Sequence, residues 1–373
     1  MILKRKLNIM DFSILIVISI IFFIIQRATL KEKPVRYYRL KKQAAEQTYT
    51  TFKMLKEEFL KRGGEIDPVN DPGETGLIGV RMSSITTSEG DLSAKITAIN
   101  PNFSALFVDI FKKLRLKKGD YIGVGMTGSF PGLNISVIIA LQTLGLRPVI
   151  ITSAGSSGWG ANIPFWTYLD MENYLYKKGI IKHRTVATSI GGGDDIGRGL
   201  EQEGRELLKK AIDRNNIEIF IDETPLAKAV EKRMEIYNSL SKGKIKLFIN
   251  IGGGIANFGV SDLYYYLKPG LNYPYDREID FKLLPVKGVI VRFLERGIPV
   301  LNMHNIIDIA KKYKMPVAPA AIPEPGEGSL FFQKKYSTIF LLVQLFVFTV
   351  IIFIILKIDF LYFLRVKRKE ESV

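Results

Sequence analysis

The sequence predicts an α/β protein with a doubly wound, mainly parallel sheet, helices on both faces, and a transmembrane helix at either end. Three observations lead there. Short β-branched apolar runs alternate with helical segments through the middle of the chain, the pattern of a parallel sheet covered by helices. Polar, glycine-rich stretches follow each apolar run, where loops at a sheet's carboxyl edge belong. Phe12 to Ile25 reads FSILIVISIIFFII, and Ile339 to Leu356 carries only Gln344 and Thr349 as polar residues, runs suited to a bilayer core.

Residues 1–26 are a tail and anchor: Lys4, Arg5 and Lys6 precede the apolar run, and no small-residue cleavage site follows it. Residues 27–64 form a juxtamembrane segment whose Ala45, Tyr49, Phe52, Leu55 and Phe59 recur at helical spacing before Gly63–Gly64 ends the helix. Residues 65–333 are the α/β domain. Its expected core strands are Tyr121–Gly125, Pro148–Thr152, Thr185–Ile190, Glu218–Ile221, Lys246–Ile251 and Pro299–Asn302. Helices are expected over Leu133–Leu144, Arg198–Ile212, Leu226–Leu240 and Asn305–Lys312. Residues 334–373 are the second transmembrane helix and a basic tail.

The formal charge of +16 suggests nucleic acid until its location is considered. Residues 1–42 carry +8 and residues 334–373 carry +4, leaving +4 for the domain between. The excess is juxtamembrane, where it suits anionic headgroups, and no nucleic-acid partner is expected. Zero cysteine excludes disulfides, thiolate metal sites and cysteine nucleophiles together. Basic residues flank both sides of the spans nearly equally; the short basic segment before the first favours tails inside and the domain outside the cytoplasm.

In a doubly wound sheet, ligands bind beyond the carboxyl ends of the strands. The six strands lead into MTGSFPG, SAGSSGWGAN, GGGDDIG, DETP, GGGIANFG and NMHN. Ligand-binding candidates on these loops are Thr127, Gly128, Ser153, Ser156, Arg198, Gly253 and Asn257. The hydroxyl-rich segment Ser83 to Asn102, with Glu89, Asp91 and Lys95, reads as a loop folding over the site or as exposed surface.

Gly123, Gly125 and Gly128 match G-x-G-x-x-G, but Thr152–Ser153 stands where a dinucleotide site needs an acid, and no Walker loop occurs. No cofactor or metal is expected. Ser129, at the turn from first strand to first helix, reads first as a helix cap or ligand-holding residue and second as a candidate nucleophile. Of two histidines, His183 precedes the third strand, whereas His304 follows the sixth, at the edge where a base is needed. Asp194–Asp195 and Asp222–Glu223 are candidate acid–base or cation-binding carboxylates, or acids favoured by a helix dipole. Asp194 and Asp222 are the candidate orienters of His304.

The ordered segments SSITTSEGDLSAKITAINPNFSAL, GVGMTGSFPGLNI, SAGSSGWGANIPFWTYLDM and FINIGGGIANFG resemble the poly-γ-glutamate system protein family over about residues 65–310. The resemblance implies a membrane-associated accessory role in synthesis, export or processing of bacterial poly-γ-glutamate, a capsule or cell-envelope polymer, beside the synthase subunits. It implies no reaction and no catalytic residues. A polymer with one carboxylate per unit needs cations and amide hydrogens, for which Arg81, Lys95, Arg198 and the glycine loops are the candidates. Two other readings are an envelope serine hydrolase or acyl transferase acting on the polymer, and a structural subunit of a polymer-synthase complex.

Overall fold

A computed structural model describes residues 9–275 and 280–370, with side chains through residue 355. The basic residues Lys4, Arg5 and Lys6 lie outside the described residues. In chain order the elements are α1 (Ile9–Ala28), β1 (Lys31–Pro34), α2 (Tyr38–Lys61), α3 (Leu92–Ala98), α4 (Phe103–Lys113), β2 (Tyr121–Thr127), α5 (Pro131–Thr143) and β3 (Arg147–Ser153). The hairpin strands β4 (Asn162–Ile163) and β5 (Trp166–Thr167) follow, then α6 (Tyr168–Lys177), β6 (Ala187–Ser189), α7 (Gln202–Arg214), β7 (Ile219–Phe220), α8 (Leu226–Ser241) and β8 (Ile245–Asn250). The remainder comprises α9 (Ile255–Phe258), α10 (Leu263–Tyr266), β9 (Gly270–Asn272), α11 (Val289–Glu295), β10 (Val300–Asn302), α12 (Ile306–Lys312), β11 (Phe332–Lys335) and α13 (Thr338–Glu370). The chain divides into two compact units, residues 36–331 and the two chain ends together.

The larger unit is mixed α/β. Its seven-stranded sheet has the order β7-β6-β3-β2-β8-β10-β9, and every neighbour is parallel except β9 against β10. All six expected strands are present; the antiparallel edge β9 is not foreshadowed by periodicity because GLN is too short to carry any. From β2 the chain builds outward through β3, β6 and β7, then restarts on the other side with β8 and β10. A crevice opens at the carboxyl ends where the order reverses. β2 and β3 pair from Tyr121 opposite Arg147 to Thr127 opposite Ser153, so their last residues stand side by side.

Side-chain alternation along the strands separates two packing layers. Val149, Ile151, Phe248 and Val300 pack with residues of α8 and α11, including Val230, Met234, Tyr237, Val289 and Phe293. On the opposite face the Tyr168 hydroxyl of α6 reaches the Met126 sulfur at 3.8 Å. Helix α5 is buried at every residue from Pro131 to Leu141, which is why it shows no amphipathic stripe.

Helix α2 departs from the expectation of a separate juxtamembrane segment. Its Ala44, Ala45, Phe52, Leu55 and Phe59 are fully buried as it packs on α4 and α5. Lys41 pairs with Asp109 at 2.5 Å, and Phe59 stacks near Phe165 and Trp166. The apolar stripe read from the sequence is real; it faces the domain's own helices, so this unit starts at residue 36.

In the smaller unit α1 and α13 lie against each other. The Phe22 and Phe348 rings are 6.3 Å apart, and the Gln344 amide donates to the Phe22 carbonyl at 2.9 Å, a polar contact of the kind that joins helices in lipid. Strands β1 and β11 form a two-stranded antiparallel ribbon beside them. Ile9–Ala28 and Thr338–Ile355 are long and apolar enough to cross a membrane.

Candidate functional site

A cleft of about 640 Å³ lies at the carboxyl edge of the sheet, within the size range of small-molecule sites. It is bordered by the ends of β2 and β3, the 87–95 segment, the glycine loops after β6 and β8, and the loop after β10. The turn after β2 and the loop after β3 are zipped together. The Gly128 N–H is shared by the Ser153 and Gly155 carbonyls at 3.2 and 3.1 Å, and Ala161 N–H returns to the Gly128 carbonyl. A Cβ at Gly160 would stand 2.8 Å from the Ser129 backbone, so glycine is what lets the loop close onto that turn. The 87–91 strip is fastened to the same loop by Thr87 N–H to the Ser156 carbonyl and Gly158 N–H to the Ser88 carbonyl.

This zipping brings Ser129, Ser157 and Lys95 together. Lys95 projects from α3 and is only 3% exposed. Its Nζ lies 2.6 Å from the Ser129 carbonyl oxygen and 2.7 Å from Ser157 Oγ, and 4.1 Å from the centre of the Phe130 ring. Ser157 N–H donates to Ser129 Oγ at 3.0 Å. Burial pushes the lysine ammonium down to about 7, against a weaker upward pull from Asp91. Asp91 caps α3, its Oδ1 accepting from Ser93 and Ala94 N–H.

Across the cleft, the ends of β8 and β10 hold a ladder of asparagines. Asn257 Nδ2 donates to Asn250 Oδ1 at 2.9 Å, Asn250 Nδ2 to Asn302 Oδ1 at 3.0 Å, and His304 N–H to the same Asn302 oxygen at 3.3 Å. The ladder ties the Gly252–Gly254 loop to the histidine loop. The His304 ring stacks on Tyr264 at 4.6 Å, and the Tyr264 hydroxyl donates to the Gly253 carbonyl. Burial first, and Lys95 second, hold the His304 pKa below its ordinary value.

Among the residues nominated from sequence, Thr127, Ser129, Lys95, Ser153, Gly253 and His304 line the cleft. Gly128, Ser156 and Asn257 support its walls: Ser156 Oγ donates to the Ser157 carbonyl. Arg81 and Asp222 are exposed elsewhere. Asp194 pairs with Arg198 at 3.2 Å beside a separate hollow, and among the described residues neither acid contacts His304. The buried member of that acid pair is Asp195. Its Oδ2 lies 2.6 Å from Arg233 in an ion pair and its Oδ1 accepts from the Ser153 and Ser189 hydroxyls, so the buried guanidinium already balances its charge. Gly123 and Gly125 lie inside β2 rather than in a phosphate loop; a Cβ on Gly125 would come within 2.4 Å of Asn257 Nδ2. Ser129 does not cap α5: Phe130 occupies that position, and Pro131 begins the helix.

The sequence does not single out Ser157 or Tyr264. The only local signal for Ser157 is its place in SAGSSG beside Ser156, and which of two adjacent serines faces a cleft depends on how the loop folds. No protein-family model, curated protein or solved structure matches this chain.

Proposed function

We propose that this chain is an accessory protein of a bacterial poly-γ-glutamate system, anchored in the cell membrane by two spans, with the α/β unit outside the cytoplasm and the synthase subunits as its neighbours. In this reading the cleft binds the end of the polymer or a few of its γ-glutamyl units; its volume suits a short stretch rather than a long tract. The observation that carries the reading is Lys95, the one Lys or Arg among the cleft's described lining residues. Its ammonium can meet one carboxylate while the serine and threonine hydroxyls meet others. Glu89 and Asp91 also border the cleft and bar carboxylates from that side, which gives an anionic chain one orientation.

Calorimetry of the full chain in detergent with γ-glutamyl oligomers tests this. Binding should weaken with salt, weaken by about 1.5–3 kcal/mol in Lys95→Met, and decline as the pH rises past about 7, where the lysine loses its charge. Arg81→Ala and Arg198→Ala should change the affinity for short oligomers by less than about 0.5 kcal/mol, because both side chains lie off the cleft. Salt-independent binding, or full affinity in Lys95→Met, would refute the reading.

A further inference from the structure

We propose that Ser157 and Lys95 form a nucleophile–base pair for acyl transfer, in which the Ser157 hydroxyl attacks an amide or ester carbonyl in the cleft and the Lys95 amine takes its proton. The pair's chemistry stands apart from the polymer; that the acyl group is a γ-glutamyl amide rests on the reading above.

The contacts around Lys95 Nζ accommodate the neutral amine as well as the ammonium, and with a pKa near 7 both forms are present at neutral pH. Such an amine has N–H hydrogens to give and one lone pair to accept. The Ser129 carbonyl can only accept, so it takes an N–H at 2.6 Å; Ser157 Oγ accepts another at 2.7 Å from the ammonium, and once the lysine is deprotonated the lone pair at that same distance can take the Ser157 hydroxyl hydrogen. That is hydrogen-bond reach for a base and its nucleophile. A lysine in ordinary solution stays protonated at neutral pH and cannot act this way. Here only 3% of the residue is exposed, and this burial, which outweighs the attraction of the Phe130 ring face for the ammonium, disfavours the charge. Ser157 itself is half-buried and borders the cleft, so a substrate reaches it.

Ser129 is the positioning residue. Its carbonyl holds Lys95, and its hydroxyl oxygen accepts the Ser157 N–H at 3.0 Å, fixing the backbone of the nucleophile from the opposite loop. The groups that face Lys95 are Asp91 on its own helix, Glu89 on the preceding strip, and His304 and Tyr264 across the cleft. None of them hydrogen-bonds the Ser157 hydroxyl among the described residues, so the lysine is the base in contact.

The step balances without a cofactor. Ser157 Oγ bonds to the carbonyl carbon as its proton moves to Lys95 Nζ. The lysine ammonium then protonates the leaving nitrogen, the C–N bond breaks, and an acyl ester remains on Ser157. Water, or an amine at the end of another chain, attacks that ester and gives its proton to Lys95. The ester C–O bond then breaks and the serine recovers its hydrogen.

The experiment treats the full chain in detergent with a fluorophosphonate and, separately, with p-nitrophenyl acetate, and locates the adduct by peptide mass spectrometry. The adduct is expected on Ser157, at a rate that rises with pH through a single ionisation near 7 and drops at least about 100-fold in Ser157→Ala and in Lys95→Arg. Lys95→Arg keeps the charge and the donors but cannot take a proton. Its melting temperature, measured in parallel, shows that it is folded, and Ser129→Ala should slow labelling while leaving it on Ser157. Adduct on Ser129, no adduct from either probe, or a rate indifferent to Lys95→Arg overturns the proposal. Polymer binding is read separately: retained binding with lost labelling in Ser157→Ala supports both readings, and Ser157 labelling of an unsubstituted chain that binds no polymer keeps the pair while removing the polymer.

Discussion

Two buried ionisable side chains set opposite demands on the pH dependence of this domain. Glu172, on α6, accepts from Thr185 N–H at 3.0 Å and from the Thr185 hydroxyl at 3.1 Å, yet burial raises its pKa from 4.5 to about 7. The folded state therefore holds this proton more tightly than the unfolded chain. The resulting stabilisation is complete below pH 4.5 and is lost as the pH rises through about 7. Lys95 has the opposite sign: its charged form is disfavoured on folding, so its cost is complete below about pH 7 and fades as the pH rises toward 10.5. Melting of the full chain from pH 4 to 10 should show Glu172→Gln flattening the acid limb and Lys95→Met the alkaline limb, each by a few kcal/mol at about 1.4 kcal/mol per unit. An acid limb of unchanged slope in Glu172→Gln would show that this carboxyl is not the titrating group. Neither shift is legible in sequence, where Glu172 is one acid on an amphipathic helix and Lys95 one cation in a polar run. Both arise from the desolvation that packing imposes.

At the scale of elements, β2 explains its own glycines. Gly125 sits where the asparagine ladder crosses the strand, and a Cβ there would meet Asn257 Nδ2 at 2.4 Å and its Cγ at 2.9 Å. Gly125→Ala should therefore push Asn257 off Asn250, release the Gly252–Gly254 loop, and lower reactivity at the cleft without touching Ser157 or Lys95. Its destabilisation should fall at about 1–3 kcal/mol, the range for overpacking. Full stability and reactivity in that variant would mean the ladder does not support the loop. The glycine pattern is visible in the chain, but its cause is not: Thr152–Ser153 already argues against a dinucleotide site, and only the structure shows that β2 runs through the first two glycines of G-x-G-x-x-G. Helix α2 gives the same lesson. Its apolar face is legible from Phe52, Leu55 and Phe59, whereas the surface it covers is decided by α4 and α5, far away in sequence.

For the whole molecule, the membrane assignment can be tested independently of the site. Alkaline phosphatase fused at about residue 330 should be active if the α/β unit lies outside the cytoplasm, as the basic segment before the first span favours; a dark phosphatase with an active cytoplasmic reporter would put it inside. The two apolar helices and the alternation of strand and helix were determined by the sequence itself, because hydrophobic length and periodicity are properties of consecutive residues. So was the edge of the sheet to search, since loop composition follows strand ends. Only the tertiary structure decided which residues meet there. Lys95 reaches Ser157 across 62 residues, and Asp195 rather than Asp194 turns inward to Arg233. Both outcomes depend on loop closure and desolvation, which arise when distant segments pack and leave no periodic trace in the chain.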